Sequence, residues 1–387
     1  MAGYHSIGNK SNLSQKEYMS KFLQYQLLAI LTLATAWVII AWKQDSNPNN
    51  HKIELGRMLF YDPILSKNNT IACASCHKQE FAFSDTARFS KGIFGKTISR
   101  NAMSLVNLKW QKRFFWDGRA SSLEEQVLSP IVHPKEMGED LERLVQKLSK
   151  HPKYPALFKK AFDLPKIDTN QISSALSSFL RSIISMNSPI DKIFEDPKNR
   201  TMDEHTNQSS EKSDLLVMKN LLENSLNSQT LFLKSALLQK KGKVDYSDRS
   251  MLVFVVCIQC HDKNFLGDPG LMKNNGLESV LKDKGLGAIT HNKKDEGLFK
   301  VPTLRNIFKT PPYMHDGRFK TIDEVLDFYS TGIQDHPNLD PLLKESGKPI
   351  QFNLTKREKE EIKEFLLLAQ DDSLFTSKKF SNPFLSK

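Results

Sequence analysis

Cysteine is scarce: 387 residues hold four, Cys73, Cys76, Cys257 and Cys260. All four fall in two stretches, Cys73-Ala74-Ser75-Cys76-His77 and Cys257-Ile258-Gln259-Cys260-His261, each reading C-x-x-C-H. No thiol is left over for a disulfide framework. Long hydrophobic runs are equally rare. One occurs, Phe22 to Trp42, and a hydrophobic share of 39% with a mean hydropathy of -0.44 excludes a polytopic membrane protein. No basic–aromatic recognition motif is present, so the net charge of +11 is not read as a sign of nucleic-acid binding. It suits acidic redox partners or anionic lipid instead.

The C-x-x-C-H spacing carries a specific chemistry. Two thiols three positions apart reach the two vinyl groups of one porphyrin, and the adjacent His offers its imidazole to the iron as proximal ligand. The competing readings are two zinc knuckles or a pair of redox dithiols. A His directly after both copies favours haem, so the chain is expected to carry two covalently bound c-type haems, on Cys73, Cys76 and His77 and on Cys257, Cys260 and His261. Haem attachment implies an extracytoplasmic bacterial compartment.

Residues 1–21 are polar, with Lys10, Lys16 and Lys21 against Glu17. The apolar run over 22–42 is 21 residues long, close to the ~20 that cross a bilayer as helix. With positive charge before it, the run predicts an inner-membrane anchor, the N-terminus cytoplasmic and the catalytic body in the periplasm. The competing reading is a cleaved signal peptide, but Ala34-Thr35-Ala36, the candidate cleavage site, sits inside the apolar run. Residues 43–51 read as a polar tether.

The rest predicts a mainly α protein: two cytochrome c-like helical haem domains in tandem after the transmembrane helix, over 52–194 and 251–387. Ile53 to Tyr61 reads as a helix, with Ile53, Leu55, Met58, Leu59 and Phe60 fitting one face loosely. Helices are expected at about 139–150 and 168–186, the second with Ile172, Leu176, Phe179, Leu180 and Ile183 at helical spacing. Ser122-Leu-Glu-Glu125 and Thr355-x-x-Glu358 are capping-box patterns, the latter opening a helix to about Gln370. Residues 195–250 change character, with a polar, charged stretch followed by a helical pattern from Leu215 to Leu238, and are read as an insert.

A duplication runs through the chain. Asp117-Gly118-Arg119 followed by Ser122-Leu123-Glu124-Glu125 matches Asp316-Gly317-Arg318 followed by Thr321-Ile322-Asp323-Glu324. An Arg-Asn pair precedes each, Arg100-Asn101 and Arg305-Asn306. Where the second copy has Val325 and Tyr329, the first has Gln126 and Pro130. Neither Gln nor Pro is a usual haem ligand. The asymmetry predicts one iron open for chemistry and one closed for electron storage.

The stretches LGRMLFYDPILS, SRNAMSLVN, FFWDGRASSLEEQVLSPIVHPKEMG, VPTLRN and TPPYMHDGRFKTIDEVLDFY, together with both haem motifs, resemble the bacterial di-haem cytochrome c peroxidase family, and within it the MauG-like branch. The resemblance covers about 52–194 and 251–370. It implies His77 and His261 as proximal ligands, and Gln126 and Glu136 as the distal pair over the peroxidatic haem. A carboxylate near an open iron can move a proton between the two peroxide oxygens while an amide orients the peroxide. Trp116 matches the tryptophan between the haems. Asn101, Thr310 and Pro312 match a calcium site made of oxygen donors. The resemblance further implies a homodimer as one assembly.

Two departures from the family pattern stand out. Peroxidases of the family carry a His before the Arg-Asn pair that caps the resting iron. The stretch FSKGIFGKTISRN has none, and Ile93 lies near the expected place, which predicts a first haem open without prior reduction. The electron-transfer haem of the peroxidases has a distal Met, whereas this chain has Tyr329, as MauG-like proteins do, with His315 and Met314 as alternative ligands. The leading expectation is a di-haem peroxidase reducing hydrogen peroxide with electrons from a cytochrome c, a cupredoxin or quinol. A MauG-like oxidase that modifies a partner protein is the second reading. An electron carrier without substrate is the third.

Overall fold

The computed structural model describes residues 48–164, 166–195, 257–261 and 270–385. The predicted membrane span, the insert from 196 onward and the 215–238 helix lie outside them. Among the described residues no helix is long and apolar enough to cross a membrane. The described residues from Lys52 onward belong to one compact unit.

The described regular structure is almost all helical, with two antiparallel pairs of two-residue strands, β1 Met272–Lys273 with β2 Phe299–Lys300 and β3 Lys344–Glu345 with β4 Lys348–Pro349. Helix α1 spans Pro48–Tyr61 and buries Leu55, Gly56, Leu59 and Phe60. It starts inside the stretch read as a tether, and Pro48 at its first position suits a helix start because the N–H it lacks would have no helical partner. Helices α2 Leu123–Val132, α3 Leu141–Lys150, α4 Tyr154–Phe162, α5 Thr169–Ser182 and α6 Pro189–Glu195 follow. The carboxylates of Asp140 and Asp168 cap α3 and α5, accepting from the backbone N–H of Arg143 and Gln171. Of these helices, α4 and α6 had no clear periodic signal. In the second half the described residues include α7 Gly287–Thr290, α8 Ile322–Asp327, a π-helical turn Phe328–Gly332, α9 Lys356–Leu367 and α10 Ser373–Thr376. At α9 the capping box is complete: Thr355 Oγ1 accepts from Glu358 N–H, and the Glu358 carboxylate accepts from Thr355 N–H.

Two apolar cores form. One gathers α1 to α5 around Phe60, Phe83, Leu123, Tyr154 and Phe179, and the other gathers Leu304, Leu326, Phe352, Ile362 and Phe365. The chain crosses between them twice. Ile190 joins the second core, while Leu374 and Phe380 return to the first. The returning tail is tied down by polar bonds: Gln79 Nε2 donates to the carbonyls of Leu374 and Ser377, and Tyr61 OH to that of Phe380.

The repeat is real at the level of backbone, with a register that differs from the Arg-Asn pairing. Asn107 and Asn306, 199 positions apart, both sit in the left-handed region at φ 60° and 59°, which Asn tolerates better than most residues. Phe115 and Met314, and Gly118 and Gly317, follow at the same offset, again with positive φ. The bridges Phe114–Ala120 and Tyr313–Phe319 match. Ser122 and Thr321 cap their helices identically, by accepting from the backbone N–H of Glu125 and Glu324. Arg305-Asn306 therefore corresponds to Val106-Asn107, and Asn101 corresponds to Lys300. Both repeat asparagines close on one residue, Ser185. Asn107 Nδ2 donates to the Ser185 carbonyl and Asn107 Oδ1 accepts from its N–H, while Asn306 Nδ2 donates to Ser185 Oγ.

Beside this junction, Arg305 donates two bonds to Asp191, at 2.8 and 2.6 Å, with both side chains almost fully buried. Removing one member of such a pair leaves a buried charge. Asp191→Ala should cost about 3–5 kcal/mol, read by chemical denaturation; a loss below 1 kcal/mol would mean that water reaches Arg305.

Candidate active site

The first cavity, about 1120 Å³, is lined by Cys73, Cys76 and His77. The Cys73–Ser75 stretch is a single 3-10 turn, and the N–H groups of Cys76 and His77 both donate to the Cys73 carbonyl. That fold-back sets both thiols and the ring on one short segment. His77 Nδ1 lies 2.8 Å from the Phe83 carbonyl. A carbonyl can only accept, so Nδ1 carries the proton and Nε2 keeps its lone pair for a metal. Burial lowers the His77 pKa and so favours the neutral ring. Burial also pushes the Cys73 thiol up to about 12 and Cys76 to about 11.

The same cavity is lined by Gln126, Pro130 and Glu136. Gln126 comes from α2, and Glu136 from the turn that follows it. Burial raises the Glu136 carboxyl pKa, with His133 and Arg119 partly opposing, and His133 Nδ1 lies 3.5 Å from the carboxylate. The turn is held from outside by the Gly92–Ile93 segment. Ile93 N–H donates to the Glu136 carbonyl at 2.8 Å. Ile93 itself packs under Gly138 and is absent from the cavity wall. Gly92 supplies the wall, and a Cβ there would fall 2.1 Å from the Lys135 carbonyl and 2.4 Å from that of Glu136.

The second cavity, about 250 Å³, is lined by Cys257, Cys260 and His261 together with Tyr329 and Met314. Residues 257–261 are helical. His261 Nδ1 meets the Pro302 carbonyl at 2.8 Å, so Nδ1 carries the proton there too. Burial lowers the His261 pKa and raises those of Cys257, to about 12, and Cys260. Tyr329 sits on the π-helical turn, a distortion frequent at functional sites. Its hydroxyl accepts from Asn275 Nδ2 at 3.3 Å, and the same Nδ2 lies 3.6 Å from the Met314 sulfur. Burial raises the phenol pKa to about 12. His315 stacks on Phe299 at 3.9 Å. Asn101, Thr310 and Pro312 all line this second cavity.

Between the cavities lies Trp116, which lines both. Its indole N–H donates to the Asn101 carbonyl at 2.9 Å, and its own carbonyl accepts from Lys300 N–H at 2.7 Å. At the rim, Arg100 Nε and Nη2 donate to the two oxygens of Asp283 at 2.7 and 2.9 Å, while Nη1 donates to Asp117. The site residues read from the sequence thus gather at two cavities and one junction. Asn275, Lys300, Gly92 and the Arg100–Asp283 pair were not foreseen: each gains its role from a distant partner and leaves no local motif.

The residues fit haem at both stations: paired thiols, an imidazole anchored through Nδ1, and a deep cavity on the same wall. Among the described residues no group of three or more His, Cys, Asp or Glu side chains is placed to hold a metal ion. A helical chain with two such stations facing one indole is built as a di-haem c-type protein. The family model "Di-haem cytochrome c peroxidase" matches residues 50–199. The Cytochrome c551 peroxidase of Nitrosomonas europaea is 31% identical over 283 residues, 72% of each chain. The Methylamine utilization protein MauG of Methylorubrum extorquens is 28% identical over 323 residues, 81% of this chain and 77% of that one. A crystal structure of a MauG-like protein associated with microbial copper homeostasis superposes with TM-score 0.65 at 29% identity, covering 87% of this chain and 93% of the other. The diheme peroxidase BthA from Burkholderia thailandensis shares the fold, with TM-score 0.59 at 18% identity over 85% and 89%. The chain belongs to the di-haem cytochrome c peroxidase family, and is by that membership a peroxidase-type oxidoreductase with c-type haem cofactors.

Because Gly92 lets two carbonyls approach, Gly92→Ala should displace the Lys135–Glu136 turn and cost about 1–3 kcal/mol, measured by thermal unfolding. An unchanged melting temperature would show that the turn yields freely.

Proposed function

We propose that the protein reduces hydrogen peroxide to water at the first cavity, with electrons entering from an external donor on the side of the second. The observation that carries this reading is the pairing of Gln126 and Glu136 in one cavity with His77, while the second cavity has Val325 at the place of Gln126 and Tyr329 at the place of Pro130. Held by Cys73, Cys76 and His77, the haem supplies the redox chemistry that cleaves the O–O bond. The chain's own residues move the protons. The Glu136 carboxylate takes a proton from one peroxide oxygen and delivers it to the other. The Gln126 amide donates to and accepts from the peroxide and so fixes its orientation. Two protons and two electrons per peroxide yield two waters, and Trp116, lining both cavities, shortens the path those electrons take.

An acidic redox protein, cytochrome or cupredoxin, suits the charge of +11 as donor, with quinol as the alternative. A calcium ion held by Asn101, Thr310 and Pro312 and an inner-membrane anchor over 22–42 with the body in the periplasm belong to the same proposal. Tyr329 favours a second reading, a MauG-like oxidase that stores oxidising equivalents and modifies a partner protein, since a phenolate favours ferric iron and lowers the potential. Steady-state peroxide turnover with reduced cytochrome c as the electron source separates the two: sustained turnover supports the peroxidase, and its absence alongside covalent change in a co-purified protein supports the oxidase.

Glu136→Gln should slow the reaction with peroxide about 100- to 10,000-fold, followed by stopped-flow absorbance. Because burial raises the Glu136 pKa, the wild-type rate should climb with pH as the carboxylate forms, and the Gln variant should be flat over the same range. A pH-independent wild-type rate would remove Glu136 from proton transfer. Tyr329→Phe should alter the low-spin signal in the electron paramagnetic resonance spectrum of the ferric protein; an identical spectrum would return ligation to Met314 or His315.

A further inference from the structure

Lys300 stands at the junction of the two cavities, lines both, and is 6% exposed. Its backbone is fixed by the bond to the Trp116 carbonyl. Its Nζ meets Gln111 Oε1 at 3.4 Å, and no carboxylate among the described residues pairs with it. Three other lysines with a largely covered side chain do have a carboxylate partner: Lys78 with Asp85, Lys147 with Glu139, Lys273 with Asp340. A buried ammonium without a counter-charge is strongly unfavourable, and burial draws its pKa down to about 8. At the equivalent place in the first repeat the chain has the neutral Asn101, so the repeat geometry itself does not require a charge there.

The missing anion is one that the cofactor brings. A porphyrin of the haem type carries two propionate carboxylates at its edge, and they are its only peripheral charges. We propose that Lys300 is the counter-ion of a propionate on the second haem, the one attached at Cys257 and Cys260. Gln111, the partner of its Nζ, lines the second cavity and not the first, which selects that haem. A fixed cation beside a haem favours the ferrous state over the ferric one, so Lys300 raises the reduction potential of the haem it pairs with. Through the same residue that haem's edge is tied to the backbone of Trp116. The proposal rests on haem attachment at both motifs and not on which reaction follows.

The test uses the purified full-length holoprotein and does not involve peroxide. Pyridine haemochrome assays first establish two haems per chain in Lys300→Met and Lys300→Arg. Redox titration followed by absorbance then gives both midpoint potentials. In Lys300→Met the second haem's midpoint should fall, with a smaller change at the first, and in Lys300→Arg it should return towards the wild-type value. An unchanged second midpoint in a Lys300→Met protein with both haems attached overturns the proposal, as does a shift confined to the first haem. Should Lys300→Met not fold, redox-difference infrared spectra of wild type and Lys300→Arg with isotope-labelled propionates decide. Carboxylate bands that differ between the two proteins support the pairing, and superimposable bands overturn it.

Discussion

Two backbone hydrogen bonds cross between the repeats and hold the molecule's working centre. Asn101 N–H donates to the His315 carbonyl at 2.8 Å, and Lys300 N–H donates to the Trp116 carbonyl at 2.7 Å. The donors are repeat equivalents of each other, and so are the acceptors. Each repeat thus pins the other's residue at the position that follows the positive-φ turn. Both acceptors, Trp116 and His315, line both cavities. A bond between main-chain groups places these side chains whatever their chemistry, which leaves the sequence free to put an indole on one side and an imidazole on the other.

The same arrangement explains why two haem stations are locked together instead of being strung on a linker. Ser185 receives the repeat asparagines from both halves, Arg305 reaches back to Asp191, and Arg100 bonds Asp283 across the chain. Leu374 and Phe380 then bury in the first core. Each of these contacts joins residues distant in sequence, so their closure entropy is met only when both halves are folded. The junction around Trp116 is therefore fixed by contacts from both halves of the chain, and Trp116 lines both cavities.

What was legible in the sequence follows from whether a signal is local. The two C-x-x-C-H motifs, the Thr355–Glu358 capping box and the α5 stripe of Ile172, Leu176 and Phe179 are defined within a few residues, and the structure has them in the expected form. The bonding of Ser122 was half legible: its hydroxyl caps α2, but the Glu125 carboxylate accepts from Ser121, one position early. Helix α4 escaped because its capping residue, Lys153, offers no side-chain acceptor. The repeat was visible from its Asp-Gly-Arg turns, yet its register was mistaken upstream because Arg-Asn recurs at a false offset. The true marker was Asn in the left-handed region, at 107 and 306, a property of backbone angle that letters alone do not carry. Asn275 and Lys300 lay beyond reach for a different reason: their meaning is a partner 54 residues away for one and a missing partner for the other.

The difference between the two cavity walls comes down to how one helix is distorted in each repeat. In α2, Pro130 has no N–H to give to the Gln126 carbonyl, and its ring bars a side chain from reaching over the cavity as a ligand would. At the equivalent place in the second repeat, α8 opens into a π-helical turn after Asp327. That wider turn carries Tyr329 to the cavity wall, where Asn275 holds its hydroxyl. Four positions earlier the exchange runs the other way: the first repeat has an amide that can hold a reactant, and the second has Val325, which cannot. A single helical turn, altered at two positions, is thus enough to give one wall a hydrogen-bonding amide and the other a phenol, while the paired backbone bonds from Asn101 to His315 and from Lys300 to Trp116 stay the same.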